Sequence, residues 1–82
     1  MPNIEFSAHA IDMLAERNIL EAWVWRVIEV PIDGWQGDDD NAHYVKPIQE
    51  RGYRTLHVVV NRKAEPNRVV TVFFDRRLGK RK

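Results

Sequence analysis

The spacing of apolar side chains changes period near the middle of the chain. In the first half, Ala10, Ile11, Leu14 and Ala15 recur at the three- and four-residue intervals of one helix face. Ser7 stands ahead of them as an N-cap, and Phe6 is placed to staple onto Ile11. Asn18 tolerates the left-handed backbone that ends helices. A second helix is predicted over residues 21–30, with Trp23, Val24, Val27 and Ile28 as its apolar stripe and Pro31 as its stop. Trp25 falls off that stripe. It packs against a loop or sheet rim, or it offers a partner contact.

Residues 32–41 read as a loop, because Asp33-Gly34 and Gly37 break regular structure and Asp38-Asp39-Asp40 is a run of acids. Those aspartates lack the alternating oxygen spacing of a calcium loop and read as a solvated turn. The second half is strand-like. Residues 43–48 form a candidate strand limited by Pro47, and residues 53–61 and 69–75 form two more, joined by a hairpin loop over 61–67. The order helix, helix, strand, strand, strand predicts an α+β fold. Both helices should cover one face of a small antiparallel sheet of three or more strands. Alternation puts Leu56, Val58 and Val60 with Val70, Val72 and Phe74 in the core. The other face then shows Tyr53, Thr55, His57 and Val59 beside Val69, Thr71, Phe73 and Asp75, bordered by Arg54, Arg76 and Arg77, and is the candidate working surface.

The 82 residues allow a single domain over 1–82, with 76–82 as a basic tail. Zero cysteines remove disulfides, thiolate metal sites and a cysteine nucleophile. No apolar run approaches the roughly 18 residues of a membrane span, and Met1-Pro2-Asn3-Ile4-Glu5 does not read as a signal peptide, so the expected location is cytoplasmic with no membrane partner. Charge is unevenly distributed. Residues 1–41 carry two cations against nine carboxylates, a net of −7, while residues 42–82 carry eleven cations against three, a net of +8. Opposed halves attract each other, and a basic half also suits a polyanion.

Several of these residues form a pattern. Phe6-Ser7-x-His9-Ala10, Leu14, Glu16-Arg17-x-Ile19, a second helix ending at Pro31 and the strand Val69-Val70-Thr71-Val72-Phe73 resemble a family of small bacterial proteins. That family is similar to the RelE and BrnT toxins, endoribonucleases of the barnase/EndoU/colicin/RelE-like group. The resemblance covers nearly the whole chain, with residues 32–50 least constrained. Asn18 replaces the family's Gly, Leu20 its helix-capping Ser, and Phe73 the Tyr that several relatives carry.

The resemblance implies metal-independent RNA cleavage by the substrate's own 2′-hydroxyl. That reaction needs a base, an acid for the leaving 5′-oxygen and cations for the phosphorane. His9 is the first candidate for base or acid, since an imidazolium is disfavoured near a helix N-terminus; the alternative is a histidine that completes the first turn. Arg17 lies about 12 Å further along the helix as a phosphate clamp or as half of a structural ion pair. Arg54 would hold the phosphorane charge and Thr71 would orient a hydroxyl, although alternation turns Arg54 away from Thr71's face. His57 shares that face and competes for the acid role. Arg76, Arg77 and Lys80 would track an RNA backbone, or form an ordinary solvated terminus. The three histidines show no ligand spacing, so neither a metal nor a cofactor is expected.

These expectations describe an endoribonuclease toxin neutralised by an antitoxin protein. Phe73 in place of Tyr favours the alternative, a non-catalytic RNA- or protein-binding module on the same fold. An exposed Trp25 or edge strand would allow a homodimer.

Overall fold

Ser7 opens the first helix in the way its side chain predicts. In the computed structural model, which describes residues 4–76, its hydroxyl accepts the Ala10 amide at 3.0 Å and donates to the Val70 carbonyl at 2.9 Å. The helix, α1, runs Ala8–Arg17 and ends on Asn18 at φ 54°, with the Ile19 amide closing onto the Leu14 carbonyl. Helix α2 runs Glu21–Glu29; Leu20 supplies no capping side chain. Phe6 packs edge-on against Trp25 at 5.8 Å, and Ile11, its expected staple partner, is exposed. Trp25 is thereby half-buried at the rim.

Five strands form one sheet: β1 Ile4–Phe6, β2 Asp33–Gln36, β3 Ala42–Ile48, β4 Arg54–Asn61 and β5 Asn67–Phe74, in spatial order β1-β5-β4-β3-β2. Pairs β2–β3, β3–β4 and β4–β5 are antiparallel, and β1 joins β5 in parallel. The sheet is therefore mixed, and the α+β class holds. The predicted loop over 32–41 contains β2, whose four exposed residues give no hydrophobic signal and are held by backbone pairing to β3. Pro47 lies past the last β2 pair, where β3 has no neighbour on that side to miss its amide. A single 3-10 turn, Gln49–Arg51, leads into Gly52 and Tyr53, both left-handed at φ 66° and 62°. Strand β4 therefore starts at Arg54, one residue later than its pattern suggests.

The core lies between the helices and one sheet face. Ala10, Ile19, Trp23, Val24 and Val27 meet Ile48, Leu56, Val58, Val60, Val69 and Val72, with Phe74 at the margin. Each fully buried aliphatic side chain contributes about 1.5–3 kcal/mol relative to exposure. One predicted core residue is displaced. Val59 pairs with Thr71 but Val60 pairs with Val69, so Val70 is the extra residue of a β-bulge. Val69 is fully buried in its stead, and Val70 is only partly covered.

Candidate functional site

Four arginines from different elements converge at the end of the β4–β5 ladder. Arg17 ends α1, Arg51 ends the 3-10 turn, Arg54 begins β4, and Arg76 follows β5; with Glu16, Thr55, Phe74 and Asp75 they line an open cavity of about 580 Å³. Four cations face two carboxylates there, so the pocket has a formal charge of +2. Arg51 is held in place. Its guanidinium lies 5.1 Å over the Phe74 ring and 6.0 Å from the Trp23 ring centre, and Nη1 donates to the Asn18 carbonyl at 3.3 Å. The turn that carries it is tied to α2 by a bidentate pair, Arg26 donating to both Glu50 oxygens at 2.8 and 2.9 Å. That hydrogen bonding pulls the Glu50 carboxyl down to about 2 and raises Arg26. A fork of guanidinium groups around a concave surface fits a phosphate or carboxylate.

Asp75 reaches from this pocket into a second constellation on the other side of the sheet. Its Oδ2 lies 3.0 Å from His57 Nδ1, His57 Nε2 lies 2.8 Å from His43 Nδ1, and His43 Nε2 lies 3.1 Å from Asp39 Oδ1. The side chains of His57 and Asp75 are each 4% exposed, and His43 is partly covered. Trp35 of β2 stacks on His43 at 5.5 Å and meets His57 edge-on at 5.4 Å, while Phe73 covers His57 at 4.7 Å. Accepting from His43 lowers the Asp39 carboxyl, and the Asn41 amide donating to it lowers it further. Gly37 keeps the turn clear: a Cβ there would overlap the His43 ring and crowd Asp39 Oδ1.

The structure brings Arg17, Arg54 and Arg76 together, and it resolves the conflict over Arg54. By register Arg54 pairs with Ile48 on the helix-facing side, where Arg17 also lies, while Thr71 sits opposite Val59 on the far face. Thr71 and His9 do not line the pocket; His9 is exposed in the first turn of α1. His57 is buried in the histidine pair instead of open to an RNA backbone. Arg77 and Lys80 lie outside the described residues. Sequence reasoning misses Arg51 and Glu16 as pocket groups. It also misses the His43–His57 pairing, which follows only once the β3–β4 register is fixed. No group of three or more His, Cys, Asp or Glu among the described residues is placed to hold a metal ion. Nor is any described helix long and apolar enough to cross a membrane.

The fold and the pocket define a small α+β domain with an arginine-lined cavity. A family model matches residues 6–74, and the chain belongs to that family, described as a domain of unknown function, DUF4258. No curated protein and no solved structure matches it.

Proposed function

We propose that this domain binds RNA through the arginine pocket and cleaves it without a metal, acting in the cytoplasm as the toxin of a toxin–antitoxin pair. The observation that carries the reading is the convergence of Arg17, Arg51, Arg54 and Arg76 around one cavity with Glu16 at its wall. A phosphodiester seated among the guanidinium groups has its developing charge stabilised as the phosphorane forms. Glu16 takes the proton of the 2′-hydroxyl, the O2′–P bond forms and the P–O5′ bond breaks. The leaving oxygen is protonated, from solvent or a pocket group, and a 2′,3′-cyclic phosphate remains. An antitoxin segment rich in carboxylates would neutralise the same arginines.

The test is cleavage of RNA in EDTA by the wild-type domain, Glu16→Gln and the double variant Arg17→Ala with Arg54→Ala. Cyclic phosphate ends from the wild type, and a loss of about 10²-fold or more in Glu16→Gln, would support it. Cleavage untouched by both variants would sink it. The second reading, a binding module without catalysis, is favoured by Phe73. The resemblance implies a Tyr at this position in several members of the family it names, and the Phe73 ring packs on His57. Retention of an RNA oligonucleotide by the pocket arginines, with no cleavage by any of the proteins, would select that reading.

A further inference from the structure

The ring nitrogens of His43 and His57 make three contacts in series: to Asp39 at 3.1 Å, to each other at 2.8 Å and to Asp75 at 3.0 Å. Each contact needs one hydrogen between its heavy atoms. Two neutral imidazoles carry two N–H protons between them, and ionised carboxylates carry none. With two protons, one contact is left bare: either two ring lone pairs face each other, or a carboxylate faces a lone pair. A third proton satisfies all three contacts at once and makes the pair a shared imidazolium between two carboxylates.

We propose that Asp39, His43, His57 and Asp75 form a proton-binding site that retains this third proton at neutral pH and places the arginine pocket under pH control. The pH control rests on the RNA reading above; the bound proton does not. Among the described residues, the charged groups around the pair include Asp33 of β2, Asp39 of the β2–β3 turn, Asp75 after β5 and, beyond Asp75, the pocket's Glu16, Arg17, Arg51, Arg54 and Arg76. The arginines oppose a further positive charge, but the two carboxylates in direct hydrogen-bond contact are nearer and prevail. Holding the proton takes the charge of the four residues from −2 to −1. Asp75 presents that difference to the pocket wall, so an anion binds more tightly while the proton is held. Reciprocally, a bound anion tightens the hold on the proton.

Nitrogen-15 NMR of the side chains at pH 7.5 reads the proton directly. The expected result is three of the four ring nitrogens of His43 and His57 protonated at that pH. Two of four protonated, each ring behaving as a separate neutral imidazole, would overturn the proposal. Asp39→Asn, at the exposed end, removes one of the two carboxylates that hold the third proton without touching the core, and serves if His43→Gln fails to fold. Binding of a 2′-O-methyl oligoribonucleotide, whose phosphodiesters do not titrate between pH 6 and 8.5, reads the control. Wild-type affinity falls at least about fivefold across that range, the low end of common couplings. The fall persists in His9→Gln and disappears in His43→Gln or Asp39→Asn. A parallel fall in wild type and the cluster variants refutes the control. No binding at any pH refutes the RNA reading, and the NMR result then decides the proton alone.

Discussion

The β-bulge in β5 makes a quantitative forecast that opposes simple strand alternation. Alternation from Val72 places Val70 in the core and Val69 outside, whereas the register shift at Val59/Val60 buries Val69 completely and leaves Val70 part-exposed. Val69→Ala removes two carbons from a site enclosed by the core cluster. Transfer alone accounts for about 1.6 kcal/mol at ~0.8 per carbon. The cavity left by incomplete relaxation brings the total to about 2–3 kcal/mol. Val70→Ala removes the same atoms from a half-covered position and should cost less than about 1 kcal/mol. In a domain of this size each kcal/mol moves the melting temperature by roughly 4–8 °C, so Val69→Ala melts on the order of 10 °C below wild type. Urea unfolding followed by tryptophan fluorescence and thermal unfolding by circular dichroism both read the difference. Equal losses, or a larger loss for Val70→Ala, would refute the bulge and the register built on it.

Three further outcomes follow from particular contacts. Asn18→Ala should lose about 1 kcal/mol because its backbone is left-handed, while Asn18→Gly is neutral or stabilising; chemical denaturation separates them. Arg26 holds the Glu50 carboxyl at about 2 in the folded state. The folded value is depressed below an unfolded value near 4.3, so the contribution is complete above that value and disappears as pH falls towards 2. Stability profiles of wild type and Glu50→Gln should therefore converge between about pH 4.3 and 2, and a constant gap across that window contradicts the pair. Gly37→Ala should destabilise the wild type more than it destabilises His43→Ala, because the added methyl meets the His43 ring as well as Asp39 Oδ1; a double-mutant cycle in urea tests this.

Both helices, the caps of α1 and the two long strands are legible in the sequence because each carries a local signal. The hydroxyl of Ser7, the left-handed tolerance of Asn18 and the β-branched runs of β4 and β5 act on their own neighbours. What is not legible depends on distant partners. Strand β2 has the sequence Asp33-Gly34-Trp35-Gln36, with no apolar alternation, and exists because β3 supplies its hydrogen bonds. The bulge at Val70 is invisible to a period-two pattern. The site divides in the same way. Arg17, Arg54 and Arg76 stand out as basic residues, but their convergence requires the end of α1 to meet the end of the β4–β5 ladder. Arg51 stands out even less, since its place depends on Trp23, Phe74 and the Asn18 carbonyl. His43 and His57 are fourteen residues apart and become neighbours only through strand register.

The pairing of β1 with β5 also governs when the protein can fold during its own synthesis. Ser7 is fastened to the Val69 and Val70 carbonyls, 62 and 63 residues further along the chain, and α1 packs on β5. Helix α1 leaves the ribosome well before β5, yet β5, the last of the described strands in chain order, buries Ala10 and completes the capping serine's hydrogen bonds. Closing so long a loop has to precede the contacts that reward it. The nascent chain therefore carries an uncovered apolar helix face until β5 is free. A product of translation stopped before β5 keeps that apolar helix face open to chaperones and proteases.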